Sequence, residues 1–214
     1  MEVRPASTVI LVRPGCGAGV EVFMLRRSAK SAFAPNVYVF PGGTVDPADR
    51  KSGIGDASES ERARLFRMPS PPPDDLQIGL LAAARRELFE EAGVLLDEDE
   101  RLELFSHWIT PVTLSPRYDV YFFTARLPKD QEAVADAYET HDGIWIAPSA
   151  ALARGGEGGF SLIYPTRKHL ERIAAFDSVE ALLGFAATKP IATVLARGSE
   201  ADGFTIAAEL ENAW

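Results

Sequence analysis

Arg86-Glu87-Leu88-Phe89-Glu90-Glu91-Ala92-Gly93-Val94 closes the strongest helical segment that the sequence predicts. From Leu76 to Ala92 there is no proline and one glycine, and Ala, Leu, Glu and Arg dominate, which are the residues that lose least on entering a helix. Asp74 and Asp75 are expected to cap its start, and Gly93 stands where a C-terminal glycine belongs. At about 100° per residue, Glu87, Glu90 and Glu91 share one face, while Leu81, Ala84, Leu88 and Ala92 fall on a neighbouring apolar arc. Like charges at these spacings repel, and the helix dipole disfavours anions in the last turn. An outside cation would offset both penalties, and hard carboxylate oxygens suit Mg²⁺ or Mn²⁺. On the residues alone a solvated acidic face remains the alternative.

Outward from this helix, Val9 to Val12 and Val20 to Leu25 read as a β-hairpin joined by a glycine-rich turn, and Val37 to Phe40 as a third strand stopped by Pro41-Gly42-Gly43. Between the turn and the helix, about residues 47–75, Gly, Ser, Asp and Pro71-Pro72-Pro73 surround a short helix, Ser60 to Met68, with Ser58 and Glu61 spaced as a capping box. This segment is expected on the surface rather than in the core. Strands follow at Leu102 to Ile109, Val120 to Ala125 and Ile144 to Ile146, then helices at Pro165 to Phe176 and Ser178 to Ala187. Ile191 to Leu195 and Phe204 to Ala207 are expected to form a closing hairpin. The order implies an α+β or α/β sandwich, with helices appended after the last core strand as an extension at about 160–190, in a single domain over residues 1–214.

Composition narrows the function. The 214 residues carry 22 Lys+Arg against 31 Asp+Glu, a net charge of −9, which speaks against a sequence-independent nucleic-acid binder. No apolar run reaches membrane-spanning length, since the best candidate is cut by Lys189 and Pro190. The sole cysteine, Cys16, cannot form an intrachain disulfide, so a reducing, cytoplasmic setting is expected.

Phe40-Pro41-Gly42-Gly43, Asp46, Asp49 and Arg86-Glu87-Leu88-Phe89-Glu90-Glu91-Ala92-Gly93-Val94 together resemble the signature of the Nudix family, Gly-x5-Glu-x7-Arg-Glu-apolar-x-Glu-Glu-x-Gly-apolar. The second half is matched throughout. In the first half Asp49 stands at the place of the first Glu, and 36 residues separate it from Arg86 where the family has seven, so 29 are inserted. Ile78 occupies the position that the usual spacing would give to that Glu. Closing a longer surface loop costs only about 0.6 kcal/mol per doubling, so the halves can still meet. A signature split in this way, ending in Val94-Leu95-Leu96, is similar to the coenzyme A diphosphatase subgroup of the family. Met24-Leu25-Arg26-Arg27-Ser28 fills the place of that subgroup's upstream arginine block, without its threonine and later glycine. Pro111, Arg117-Tyr118-Asp119 and Tyr164-Pro165-Thr166 fit the same subgroup.

The resemblance implies a Nudix fold, an α+β chain in an α/β/α sandwich on a mixed sheet, and metal-dependent hydrolysis of the pyrophosphate of a nucleoside diphosphate linked to another moiety. Coenzyme A or acyl-coenzyme A is the expected substrate. ADP-ribose, another nucleotide sugar or a dinucleotide is the alternative, and a non-catalytic nucleotide-binding module is the competing class. It further implies that Glu90 and Glu91 bind Mg²⁺ or Mn²⁺, with Glu87 as ligand or base, the Gly43 carbonyl as backbone ligand and Arg86 orienting the carboxylates. Glu139, or else His141 or Asp142, is a candidate general base. Arg26, Arg27 and Arg117 are candidates for gripping phosphates. Phe160 and Tyr164 could cover an adenine or a pantetheine arm. The C-terminal helices suit either a lid or a homodimer contact.

Overall fold

A computed structural model describes residues 3–17, 19–29, 34–51, 57–97, 100–136, 140–199, 203–210 and 214. Strand β1 (Val3–Pro14) is the spine of the sheet. It pairs antiparallel with β2 (Val20–Arg27), which confirms the first hairpin, and in parallel with β6 (Arg117–Arg126) from Val3↔Arg117 to Val12↔Arg126. The sheet extends through β3 (Val37–Val39) and β8 (Ser161–Leu162) on one side, and through β5 (Glu103–Ile109) and β9 (Thr193–Leu195) on the other. Two further strands join it: β4 (Gly42–Thr44) on β1 and β7 (Thr140–Ile146) on β2.

Alternation along the spine divides the core in two. Val9 and Leu11, with Phe23 and Leu25 of β2, face α2 (Asp74–Ala92), whose Leu80, Leu81 and Leu88 are fully buried. Each such side chain contributes about 1.5–3 kcal/mol by leaving water. Ile10, Val12, Val22 and Met24 point the other way, against α3 (Pro148–Glu157), α4 (Tyr164–Ile173) and α5 (Val179–Thr188). Helices thus cover both faces of a mixed sheet, the α+β sandwich expected. Among the described residues no helix is long and apolar enough to cross a membrane.

Several expectations are corrected. The helix carrying the glutamates begins at Asp74 with no side-chain cap: Asp74 and Asp75 sit in its first turn, and Asp75 pairs with Arg50 at 2.8 Å. Ile191 to Leu195 does not hairpin with Phe204 to Ala207, because β9 joins the main sheet parallel to β5. The hairpin is instead β10 (Arg197–Ser199) with β11 (Gly203–Thr205).

The segment inserted before α2 is not an external loop either. Its helix α1 (Glu59–Leu65) is capped by Ser58, which accepts from the Glu61 amide. Just past it, Phe66 packs edge-on to Tyr121 and Phe123, and both Leu65 and Phe66 are buried. Arg64 bonds the buried Glu103 at 2.5 Å, and Arg67 donates to the Ala186 and Lys189 carbonyls at the end of α5. An arginine from the insertion therefore satisfies carbonyls that the helix end leaves open.

Lys189 itself is 5% exposed, with Nζ donating to the Phe105 carbonyl at 2.5 Å. Burial first, then the charges of Arg172 and Arg67, push its pKa down to about 7. Between pH 7 and 10.5 the unfolded chain therefore holds a proton that the folded one lacks, so this residue makes stability rise with pH over that window, by at most about 1.4 kcal/mol per pH unit. Urea midpoints at pH 7 and 9 for the wild type and Lys189→Met should show a rise that the variant lacks.

Candidate active site

The site is assembled where β4 and the last turns of α2 meet. Gly42 and Gly43 are set against β1 in register with Thr8 and Ser7. A Cβ on Gly42 would lie 2.4 Å from the Ser7 carbonyl oxygen, a backbone atom, so only glycine lets the strand pass β1 there, while one on Gly43 would lie 2.2 Å from Glu87 Oε1 and would displace that carboxylate. The Gly42 amide donates to Glu91 Oε2 at 2.8 Å.

Arg86 occupies the centre of the acidic face. One Nη donates to Glu87 at 2.8 Å and Glu90 at 3.0 Å. Its Nε and other Nη take both oxygens of Asp49 at 3.1 and 2.9 Å, and that second Nη also reaches the Thr44 carbonyl at 3.1 Å. The hydrogen bond to Asp49, with those to Glu87 behind it and burial opposing, holds the guanidinium proton more firmly than usual. Asp49 is 5% exposed and lies in a short 3-10 turn, Asp49–Lys51, at the start of the insertion. The turn fits there because Gly79 of α2 has no side chain: a Cβ would meet Arg50 and Val45 at 2.9 Å. Asp49 thus supplies the carboxylate that fixes Arg86 despite the lengthened spacing, whereas Asp46 is only 4.0 Å from the arginine and mostly exposed.

A cavity of about 370 Å³ opens beside this face, within the range of small-molecule sites. Glu87, Glu91, Gly42, Gly43 and Thr44 form one wall, Val39, Phe40, Val120 and Phe122 an apolar one, and Arg27, Thr8, Thr110, Tyr118 and Thr166 add polar groups. Of the residues singled out from sequence, Glu87, Glu91, Gly43 and Arg27 line it. Glu90 stands on the adjacent exposed face with Arg86.

The remaining candidates lie elsewhere. Arg26 pairs with the exposed Asp142 at 3.5 Å, and Arg117 donates from Nε to the Thr110 carbonyl at 3.1 Å. Tyr164 packs against Trp108 and Phe204, and Phe160 is stacked on Tyr38 at 3.8 Å within the core. Glu139 lies outside the described residues, as does the side chain of His141. Thr8 and Thr110 escaped the sequence reading, because isolated hydroxyls on and beside strands have no distinguishing pattern, whereas Tyr118 and Thr166 were named there only as parts of Arg117-Tyr118-Asp119 and Tyr164-Pro165-Thr166.

Among the described residues no three His, Cys, Asp or Glu side chains converge at metal-binding spacing, since Arg86 holds Glu87 and Glu90 while the Gly42 amide holds Glu91. The donor chemistry nevertheless fits a hard divalent cation: two carboxylates face the cavity beside a glycine backbone kept open by the missing Cβ.

Residues 73–164 match the family model of the NUDIX domain. The acyl-coenzyme A diphosphatase of Xenopus laevis is 25% identical over 237 residues, covering 77% of this chain and 62% of that protein. That of Homo sapiens is 32% identical over 121 residues, covering 44% and 31%. The chain spans just under two thirds of the length of the first of these relatives. A crystal structure of a NUDIX hydrolase from Alicyclobacillus acidocaldarius superposes with a TM-score of 0.70 at 24% identity, over 90% of this chain and 99% of that one.

Proposed function

We propose, from the match of residues 73–164 to the NUDIX domain model and the likeness to acyl-coenzyme A diphosphatases, that the chain is a metal-dependent Nudix hydrolase of a pyrophosphate bond, with coenzyme A or an acyl-coenzyme A as substrate. The observation that carries the reading is the shared wall: Glu87, Glu91 and the Gly43 backbone face one cavity, with Arg86 clamped behind them. Names of relatives support the substrate class, and the apolar wall of Val39, Phe40, Val120 and Phe122 offers room for an uncharged arm beside the carboxylates.

In this reading Glu87, Glu91 and the Gly43 carbonyl, with Glu90 at the rim, would hold Mg²⁺ or Mn²⁺. A bound divalent ion neutralises phosphoryl oxygens and lowers the pKa of a bound water. The chain supplies the rest. Arg86 fixes the rotamers of Glu87 and Glu90 through one guanidinium edge while Asp49 fixes the other, so the face is ordered before substrate arrives. Arg27 is the cation on the cavity wall with the charge to meet a phosphate.

Incubation with coenzyme A, acetyl-coenzyme A, ADP-ribose, NADH and diadenosine polyphosphates, with Mg²⁺ or EDTA, tests the proposal. Cleavage of the coenzyme A compounds, lost in EDTA, is expected. Faster turnover of ADP-ribose would replace the substrate, and tight binding without turnover of any compound would replace catalysis with recognition.

A further inference from the structure

A buried histidine that takes no part in the carboxylate face backs the apolar wall of the cavity. His169, on α4, is fully buried and does not itself line the cavity. Its ring stacks on that of Phe122, with centroids 4.1 Å and planes 29° apart, and meets Phe40 edge-on at 6.4 Å. These are the two phenyl rings among the cavity's lining residues. Phe105, Trp108 and Trp214 also surround the imidazole, with centroids 5.9, 5.5 and 5.0 Å away.

The ring is tethered as well as packed. The Pro165 carbonyl can only accept, so Nδ1 carries the proton and donates to it at 2.6 Å, which leaves Nε2 to accept from the Ser106 hydroxyl, also at 2.6 Å. Ser106 of β5 is in register with Phe122 of β6, so the tether and the stack reach paired positions of one sheet. Burial lowers the pKa of His169 most, the bond to Pro165 opposes, and the charge of Lys189 adds to the fall, to about 3, so the ring is neutral at pH 7. Filling the core needs no such group, since a phenylalanine would occupy the space without burying two polar nitrogens. What histidine adds is a ring plane fixed by two hydrogen bonds, and a fixed plane sets the orientation of the rings that lie against it.

We propose that His169 is a positioning residue for the uncharged arm of the substrate: it touches no substrate itself and sets, from behind, the phenyl rings against which that arm lies. This rests on the function proposed above and assigns specificity for the arm to α4 and β5, away from the carboxylate wall on α2.

The test measures kcat and KM for coenzyme A, calorimetric binding of coenzyme A in EDTA, calorimetric binding of Mg²⁺ alone, and Tm. His169→Phe keeps a ring of similar volume and removes both hydrogen bonds. Ser106→Ala cuts the same tether from the sheet side and stands in if His169→Phe does not fold. Each should raise KM about tenfold with kcat within about threefold of the wild type, and the double variant should be no worse than His169→Phe. Mg²⁺ affinity should stay within about twofold, since the carboxylates are carried by another element. Ser178→Ala, which loses the cap on the Ala181 amide at the start of α5, should lower Tm and leave KM unchanged. An unchanged KM in either variant that folds overturns the positioning role, as does a fall in kcat and Mg²⁺ affinity alongside KM. If coenzyme A is bound but not cleaved, weaker binding by His169→Phe upholds the role and removes the hydrolase reading. Normal cleavage with wild-type KM in His169→Phe does the reverse. A wild type that neither binds nor cleaves coenzyme A overturns both.

Discussion

Glu91→Gln and Glu87→Gln should each lower Mg²⁺-dependent hydrolysis at least about a thousandfold while leaving the protein folded. Such a loss corresponds to about 4 kcal/mol of barrier, the scale expected when a carboxylate that holds a catalytic cation is neutralised. The fold should survive because neither carboxylate charge is what the scaffold uses. A glutamine at 91 still offers an oxygen to the Gly42 amide, now held at 2.8 Å, and Arg86 keeps both oxygens of Asp49 when Glu87 is neutral. Steady-state rates with urea midpoints on the same samples check this. Rates within tenfold of the wild type in both variants would remove these glutamates from the cation site. Glu90→Gln is expected to lose less, since Glu90 is 54% exposed at the rim, outside the cavity wall.

The second large effect is on stability. Gly42→Ala should cost about 3 kcal/mol, and at 2–4 °C per kcal/mol for a chain of this size it lowers Tm by about 6–12 °C. The added methyl would lie 2.4 Å from the Ser7 carbonyl oxygen and 2.7 Å from Thr8 Cα, both backbone atoms of β1. That backbone cannot retreat cheaply: Ser7 Oγ donates to the Leu80 carbonyl at 2.6 Å, which pins β1 to α2, and the Val9 amide donates to the Pro41 carbonyl at 2.8 Å. Any shift also pulls the Gly42 amide from Glu91, so activity should fall with stability. Gly156→Ala is the control, because a Cβ there meets nothing within 4 Å and replaces glycine inside a helix. A Gly42→Ala protein that melts with the wild type would mean that β4 is free to move.

The helix of the site was readable because propensity, a C-terminal glycine and the carboxylate spacing agree there, and Gly93 does end it in the left-handed region at φ 68°. The spine strands were readable for the same reason, being apolar and β-branched on both faces. Gly42–Thr44 was not, since Gly-Gly-Thr has no strand propensity and pairs only because β1 presents a ladder that a side chain would block. Helix α3 was hidden by Gly155-Gly156, and Leu65 and Phe66 by polar neighbours that made their segment look external. The cavity's hydroxyls come from β1, the end of β5, the start of β6 and the start of α4. Only the packing of distant segments brings them together, so no local spacing could reveal them.

The parallel ladder between β1 and β6 joins residues 114 positions apart, Val3 to Arg117 and onward to Val12 with Arg126. A chain emerging from the ribosome therefore carries its longest strand without one of its two long neighbours until the sixth strand has been made. Contacts of such long range form slowly and leave sheet edges open in the interim. Chains halted before residue 126 should be aggregation-prone even though they contain the whole Arg86–Val94 motif, so synthesis, more than the finished fold, sets the protein's demand for chaperones.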